Sequence, residues 1–392
     1  MTIEHLPVDE IIQKIRLLSS EIGPRPAGSA TESRAQKQLS DFLVDHGFSA
    51  QEEPFIFPSQ NGFFPYIALI GIWLILGALV PRFGLILLII SPFVTGGLPE
   101  LYEFLNGAFS PKRNSQNVLL TPTTTAVDEL DILFVAHCDS ARIQPIPRGV
   151  LRVIFDNLMP ILEVICWFLT LCSIAILVGP MPQPGFEVFI RWFAIIVGIL
   201  LFISDVWQQL SAREQYSPGA NDNASGAAIC TTLLENLDQI IPKPPKVGFL
   251  MTGAEEAGLY GSRSAVKLLQ ENGSQPIIVN VDMVGQGKWL GSVSRAGRLM
   301  PGNCDQTILE HLKQYDPNLY LLDYKYRSGD LVPFLKAGYR VISLEMTNNG
   351  KIPPNYHSAK DDVDQIDPRS IGIAADTLIY LMRTFPEYRS IS

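Results

Sequence analysis

Two adjacent carboxylates in this chain, Glu255 and Glu256, have the setting of a reactive site. They lie in the turn Gly253–Gly258, directly after the apolar run Val247–Met251, whose composition predicts a buried strand. Like charges side by side resist joint ionisation there, and a divalent metal ion would offset that cost. One glutamate would then bind the metal while its neighbour transfers protons. A solvated turn with two surface acids is the alternative for this stretch taken alone.

Four further residues could complete such a metal site. His137 and Asp282 each follow another apolar run, and Asp222 and His357 lie in loops. In open α/β sheets, functional sites form at the carboxyl ends of the strands. Each of these residues alone also has an ordinary structural role, as a buried histidine, a strand end, a helix cap or a surface loop residue.

Together with Glu256, these residues form a set of two histidines and three carboxylates. Nitrogen and oxygen ligands without a thiolate suit zinc, cobalt or manganese. A carboxylate shared by two ions would hold them about 3.5–4 Å apart, the arrangement of two-metal sites. Asp139, two residues after His137, could orient the imidazole through its second ring nitrogen.

Strands alternate with helices along the polar parts of the chain. The pattern predicts strands at 55–57, 117–120, 131–136, 247–251, 277–281 and 341–344, and helices at 9–18, 29–46, 227–237, 262–270, 305–315 and 369–384. Ser29 and Glu32 have the spacing of a capping box. Such alternation indicates an α/β fold with a mixed, largely parallel sheet flanked by helices.

Four apolar segments interrupt this pattern in two pairs, at 63–80, 83–98, 159–178 and 188–207. Lengths of roughly 18 to 20 residues match the hydrocarbon thickness of a bilayer, although Pro92 and Gly96-Gly97 shorten the second segment. We therefore expect two transmembrane helical hairpins, at 61–98 and 158–208. The segments 1–60, 99–157 and 209–392 would form the rest of the domain. Buried core helices, a re-entrant first pair and a dimer interface are the alternatives.

Charge and cysteine usage narrow the function classes. The 392-residue chain has a net charge of -9 and no basic stripe, so nucleic-acid binding is not expected. No signal-peptide pattern is found at the N-terminus, and the five cysteines do not suggest a disulfide framework, which fits a reduced compartment. Cationic residues between the hairpins favour a cytoplasmic catalytic side: Lys112, Arg113, Arg142, Arg148 and Arg152.

Five motifs occur in an order typical of one enzyme family. They are H-x-D-S at 137–140, G-A-x-D-x-x-S-G at 219–226, the Glu-Glu turn at 253–258, D-M at 282–283 and H-S at 357–358. Arg25-Pro26-Ala27-Gly28-Ser29 and Gly329-Asp330 with Pro333-Phe334 are softer matches. The chain resembles metallopeptidase family twenty-eight, the co-catalytic zinc exopeptidases that include bacterial zinc aminopeptidases, glutamate carboxypeptidase and glutaminyl cyclases.

The resemblance implies two zinc ions held by five residues: His137 and Asp282 on one ion, Glu256 and His357 on the other, and Asp222 bridging them. It also implies that Glu255 is the general base and that Asp139 orients His137. A cis peptide bond between Asp222 and Asn223 is a further implication. The expected protein is a membrane-anchored di-zinc aminopeptidase that acts on peptides and has the lipid bilayer as a second partner. A single-zinc cyclase-like acyltransferase and a non-enzymatic receptor or scaffold remain the alternatives.

Two departures from the family pattern have structural consequences. His137 and Asp222 are separated by 85 positions, and the surplus is the second hairpin. Because both residues must meet at one site, the insert must leave and return on the same side. Gly329 also separates Ser328 from Asp330 where relatives often have Ser directly before Asp, which leaves the role of Asp330 open.

Overall fold

The structure, a computed structural model, describes residues 4–58, 66–80, 83–94, 110–143, 157–179, 184–211, 215–297, 301–325, 327–350, 353 and 355–386. The chain divides into two units. The first comprises residues 1–57, 112–143 and 214–392, and the second comprises residues 58–111 and 144–213. The second unit contains the apolar segments, so the two stretches that interrupt the α/β pattern assemble with each other.

Within the described residues, the first unit is built on a sheet of nine strands. The strands are β1 Phe48–Pro58, β2 Lys112–Pro122, β3 Ile132–His137, β4 Val247–Thr252, β5 Ile277–Val281, β6 Trp289–Ala296, β7 Gly302–Asn303, β8 Tyr320–Tyr324 and β9 Val341–Thr347. Their order is β1-β2-β4-β3-β5-β9-β6-β7, with β8 paired to β6. The central strands β4, β3, β5 and β9 are parallel, while β2 and β6 join them antiparallel. The predicted mixed, largely parallel α/β fold is confirmed.

The register of the parallel strands brings their carboxyl ends to one edge of the sheet. His137 pairs with Thr252 across β3 and β4, and Val135 pairs with Asn280 across β3 and β5. All residues of β3, β4 and β5 are buried, because helices cover parallel sheets on both faces. The residues that follow these strands therefore emerge side by side.

The helices in chain order are α1 Val8–Arg16, α2 Ala30–Val44, α3 Tyr66–Leu79, α4 Phe83–Ile89, α5 Leu158–Val178, α6 Pro184–Ser211, α7 Ser225–Glu235, α8 Leu237–Ile240, α9 Tyr260–Glu271, α10 Gln306–Tyr315, α11 Leu331–Lys336 and α12 Pro368–Arg383. The hydroxyl of Ser29 accepts a hydrogen bond from the backbone of Glu32, which confirms the predicted N-cap of α2. Asp305 and Asp367 cap α10 and α12 in the same way. All helices predicted for the polar parts of the chain are present.

Strands β6, β7 and β8 were not predicted from the sequence. In β6, Gly291, Ser292 and Ser294 break the alternation of apolar residues, and β8 has only five residues. Both strands depend on partners far along the chain, since β6 pairs with β9 and β8 pairs with β6. Cross-strand packing therefore overrides the weak local preference.

Among the residues that the structure describes, two helices of the second unit have the length and apolar composition that a membrane crossing requires. They are Leu158–Val178 and Pro184–Trp207 within α6. Helices α3, with 14 residues, and α4, with 7, are shorter. Of the predicted hairpins, residues 61–65, 81–82, 95–98 and 180–183 lie outside the described residues. The four-span arrangement therefore stays a prediction.

Helix α6 holds both ends of α3. The carboxylate of Asp205 accepts a hydrogen bond from the backbone N–H of Ala68 over 2.7 Å, at the first turn of α3. The guanidinium of Arg191 donates to the carbonyl oxygens of Ala78 and Val80, at 2.8 and 3.1 Å, at its last turn. A negative group at the N-terminus and a positive one at the C-terminus both complement the helix dipole. The first apolar segment is thus tied to the fourth.

Close packing of α3 on α6 depends on two glycines. A Cβ atom at Gly71 would lie 2.4 Å from the carbonyl oxygen of Gly198, and one at Gly198 would lie 2.6 Å from that of Gly71. We expect Gly198→Ala to destabilise the second unit by about 1–3 kcal/mol, because the helices must separate. Gly185→Ala in the same helix is the matched control, since a Cβ there meets nothing within 4 Å. Unfolding of the purified full chain in detergent measures both, and equal stabilities would contradict the expectation.

Candidate metal centre

The five predicted metal ligands come from five different segments of the first unit. His137 is the last residue of β3, Asp282 directly follows β5, and Glu256 lies in the turn after β4. Asp222 lies in the turn Ala220–Ala224, just before α7, and its own φ and ψ of -116° and 88° are not helical. His357 lies in the loop between β9 and α12. The structure brings all five together at the carboxyl edge of the parallel strands.

The first cluster in this group surrounds the imidazole of His137. Its Nε2 atom lies 3.2 Å from Oδ1 of Asp222 and 3.6 Å from Oδ1 of Asp282. His137 and Asp222 are only 2% and 5% exposed. A nitrogen and two carboxylate oxygens therefore converge in a nearly dry environment.

The second cluster surrounds His357 and uses the other oxygen of the same aspartate. Nε2 of His357 lies 3.4 Å from Oδ2 of Asp222 and 3.2 Å from Oε2 of Glu256. Each oxygen of the Asp222 carboxylate thus faces a different histidine. This is the disposition expected of a carboxylate that joins two metal positions.

The distances within both clusters fit zinc. Zn–N and Zn–O bonds of about 2.0–2.2 Å in a tetrahedral site put neighbouring ligand atoms about 3.3–3.5 Å apart. The separations of 3.2–3.6 Å match that spacing. Oδ2 of Asp222 and Oδ1 of Asp282 are also buried without a hydrogen-bond partner among the described residues. Buried carboxylate oxygens of this kind call for a cation, so the residues present fit the metal.

Burial and the neighbouring protein charges shift the pKa values of side chains in this centre. Burial raises the pKa of Glu255 well above its ordinary value, and the negative charges of Glu256, Asp330 and Asp282 raise it further, against the opposing effect of His137. Burial lowers the pKa of His357, but Glu256 and Asp222 outweigh it and raise that pKa to about 10. A histidine that binds a metal must lose such a proton, so metal binding at His357 would release it.

Asp139 contacts the glutamate turn more directly than it contacts His137. Its carboxylate accepts hydrogen bonds from the backbone N–H groups of Glu255 and Glu256, at 3.1 and 3.0 Å. Nδ1 of His137 lies 3.1 Å from the backbone carbonyl oxygen of Asp139 and 3.6 Å from its carboxylate. The expected orientation of the imidazole by the carboxylate is therefore shared with the carbonyl group, and the side chain mainly holds the glutamate turn.

Backbone conformation is constrained in three of the loops that form the centre. Ala254, Met283 and His357 have φ values of +51°, +51° and +50°, in the left-handed region that residues with a side chain rarely adopt. Such conformations persist where surrounding contacts determine the backbone, and they concentrate at functional sites. The peptide bond between Asp222 and Asn223 is cis, which confirms the implication of the resemblance.

Two buried acids support the ligand loops and were not recognised from the sequence. The carboxylate of Asp361 accepts hydrogen bonds from the backbone N–H groups of Asn221 and Asp222, at 2.8 and 3.1 Å. Glu32 accepts from the N–H of Ala254 at 2.9 Å and from the hydroxyl of Ser115 at 2.8 Å. Burial is the main cause that raises the pKa of Glu32 to about 8 and that of Asp361 to about 7. In sequence, Glu32 has only its capping-box spacing, and Asp361 is one of an acidic pair.

The structure also places Asp330, whose role the sequence left open. Asp330 is buried at the start of α11 and accepts a hydrogen bond from the hydroxyl of Thr252, the last residue of β4. Burial raises its pKa to about 6. Asp330 is thus linked to the strand that carries the glutamate turn, which gives it a contact close to the centre despite the inserted Gly329.

Part of the chain matches a known family. Residues 205–382 match the model of peptidase family M28, a range that contains Asp222, Glu255, Glu256, Asp282 and His357. Aminopeptidase YwaD of Bacillus subtilis is 28% identical over 171 residues, which cover 41% of this chain and 36% of that protein. These matches support the metallopeptidase family. The aligned part of the chain spans about a third of the length of this curated relative.

Solved structures of similar fold span nearly the whole chain. The zinc aminopeptidase BSAP from Bacillus subtilis aligns with a TM-score of 0.55 and 16% identity, over 96% of this chain and 95% of that one. A Zn-dependent exopeptidase from Parabacteroides distasonis gives 0.56 and 12%, over 97% and 98%. A glutaminyl cyclase from Bacteroides thetaiotaomicron gives 0.58 and 12%, over 98% and 99%. At these identities the likeness concerns the fold, which peptidases and a cyclase share.

Proposed function

We propose that this protein is a zinc-dependent metallopeptidase of the aminopeptidase type. The observation that carries the proposal is the carboxylate of Asp222, whose two oxygens face His137 and His357 in separate clusters at 3.2 and 3.4 Å. The M28 match over residues 205–382 and the aminopeptidase relative support the same chemistry. Peptides are accordingly the proposed substrates.

In this proposal the centre holds two zinc ions. His137 and Asp282 would hold one ion, Glu256 and His357 would hold the other, and Asp222 would serve both; the separations of 3.2–3.6 Å support these pairings. When bound, zinc lowers the pKa of water to near neutrality and polarises a carbonyl group. The protein residues then position the ions and the peptide, and exclude bulk water from the buried ligands.

Glu255 is the proposed general base. One of its carboxylate oxygens lies within 4.8 Å of ligand atoms of His137 and Glu256, so it reaches the centre from the same turn as a ligand. Its carboxylate would accept a proton from the attacking water and deliver it to the leaving amine. Asp139 holds the backbone of this turn through two hydrogen bonds, and therefore positions Glu255 and Glu256 together.

We further propose that the protein is a multi-pass integral membrane protein with its catalytic unit on the cytoplasmic side. In the most apolar 18-residue stretch of α5 only 28% of the residues are buried, and in that of α6 only 22% are. Core helices of soluble proteins, in contrast, are mostly buried. The segment between the hairpins carries five cations, whereas the first hairpin tip carries only Arg82 and the second carries none before Arg191, so the positive-inside rule favours a cytoplasmic catalytic unit. Retention in the membrane pellet after alkaline carbonate washing is expected, and release would contradict it.

Metal content and substrate range test the peptidase proposal. We expect about two zinc ions per chain in detergent-purified protein, with turnover of aminoacyl reporter substrates that carry a free α-amino group and none of their acetylated counterparts. Absence of stoichiometric metal would overturn the proposal. One zinc per chain, with ammonia released from N-terminal glutaminyl peptides, would instead assign the cyclase chemistry of a structural neighbour.

A further inference from the structure

We propose that Arg25 is a positioning residue of the metal centre, whose guanidinium holds the His137 and Asp222 segments in register across the second insert. The inference rests on the proposed function, because it concerns the geometry of the metal ligands. Arg25 lies in the loop between α1 and α2, far from either ligand in sequence. In the sequence, Arg25 belongs only to the stretch 25–29, one of the weaker matches to the family pattern.

The second insert separates the segments of His137 and Asp222 along the chain, and Arg25 joins these two segments. His137 and Asp222 approach within 3.2 Å although the intervening chain leaves the first unit and returns to it. A short antiparallel neck joins the departing and returning segments: the N–H of Ile143 donates to the carbonyl of Gln215, and that of Ser217 donates to the carbonyl of Ala141, both at 2.8 Å. This confirms that the insert leaves and returns on the same side. Between this neck and the two ligands, further contacts must hold the His137 and Asp222 segments at a constant distance.

The guanidinium of Arg25 spans this interval. Its Nε donates to the carbonyl of Cys138, next to His137, at 2.8 Å. Nη1 and Nη2 donate to the carbonyls of Pro218 and Gly219, at 2.8 and 2.9 Å, on the approach to Asp222. One rigid, planar group thus sets the distance between the two ligand-bearing segments.

The backbone around Arg25 completes the contact. The N–H of Arg25 donates to the hydroxyl of Ser140, and the N–H of Ser140 donates to the carbonyl of Arg25, both at 2.9 Å. Gly219 leaves the space that the guanidinium needs, since a Cβ atom there would lie 2.8 Å from Nη2, and its φ of +64° favours glycine. Both segments are therefore shaped to meet this side chain.

The chemistry of Arg25 suits the task better than lysine would. The side chain is fully buried, and its hydrogen bonds go to backbone carbonyls of several segments. Burial lowers the pKa of the Arg25 guanidinium, and the negative charges of Asp361, Asp139 and Asp222 oppose this shift, so the acids of the metal centre help to retain the cation. A lysine ammonium keeps the charge but cannot reach three carbonyls along fixed, coplanar directions.

Zinc affinity of Arg25→Lys tests the proposal. We expect chelator competition on the full chain in detergent to give an affinity about ten- to hundred-fold weaker than in the unsubstituted protein, as for other residues that orient metal ligands. Lys14→Met is the matched control. Lys14 is another buried cation of the first unit, paired with Glu235 at 2.8 Å, and its loss should lower the thermal stability of the metal-free protein without changing zinc affinity.

The outcomes separate this inference from the proposed function. Zinc affinity of Arg25→Lys within about threefold of the unsubstituted protein, or an equal loss in Lys14→Met, would overturn the positioning role alone. Unsubstituted protein without zinc would overturn the proposed function and this inference together. If Arg25→Lys does not fold, Arg25→Gln decides, because it removes the guanidinium that reaches the carbonyls of Cys138, Pro218 and Gly219 without burying an unpaired ammonium. Weaker zinc binding in this variant supports the role, and unchanged zinc binding refutes it.

Discussion

Glu255→Gln is expected to reduce peptide hydrolysis by about 10²- to 10⁴-fold while zinc content stays unchanged. The amide keeps the size of the carboxylate but cannot accept the proton of the attacking water. The hydrogen bond from the Glu255 backbone to Asp139 is unaffected by the change, so the turn keeps its conformation. Steady-state kinetics and metal analysis on the same preparation measure both quantities.

The neighbouring substitution is the control for Glu255→Gln. Glu256→Gln alters the adjacent residue of the same turn, whose Oε2 lies 3.2 Å from His357, and should lose metal as well as activity. Metal loss in both variants would assign Glu255 as a ligand, which its proximity to His137 and Glu256 also permits. Full activity of Glu255→Gln would remove it from the mechanism.

Removal of metal is expected to destabilise the first unit strongly. A metal that binds only the folded state, at a free concentration about 1,000-fold above its dissociation constant, contributes about 4 kcal/mol, which corresponds to about 10 °C in melting temperature for a domain of this size. The buried atoms Oδ2 of Asp222 and Oδ1 of Asp282 would lose a compensating charge when the metal is removed. Thermal unfolding with and without a chelator, followed by zinc addition, measures the shift.

Asp222→Asn is the control for metal removal. Because Asp222 belongs to both clusters, the variant should bind little metal and its melting temperature should not respond to the chelator. A chelator-induced shift of equal size in this variant would place the stabilising metal elsewhere. No shift in the unsubstituted protein would show that metal does not stabilise this fold.

Much of the catalytic unit was predictable because its signals are local. Apolar runs such as Val247–Met251 and Ile277–Val281 predict buried strands, and the residues that end them are the ones the sheet brings together. Parallel strands align their carboxyl ends, so His137, Glu256 and Asp282 could be expected at one edge. The predicted cap at Ser29 follows equally from spacing alone.

The supporting contacts were not predictable, because each joins segments that are distant along the chain. Glu32 bonds to Ala254, and Arg25 to Gly219, through backbone groups that every residue possesses. When a polar side chain binds a backbone amide or carbonyl, the residue type of its partner does not reveal the contact. Strand β8 and the pairing of α3 with α6 were not predicted either, because they also join segments that are distant along the chain.

The amino-acid sequence by itself determined the α/β pattern, the apolar inserts and the residue types suited to a metal site, since these depend on periodicity and on side-chain chemistry. Only the tertiary structure decided that the two oxygens of Asp222 face different histidines, and that Asp139 mainly holds the glutamate turn. Those features depend on distances of a few ångströms between loops. Packing of the sheet edge, the neck of the insert and buried groups such as Arg25 and Asp361 sets these distances.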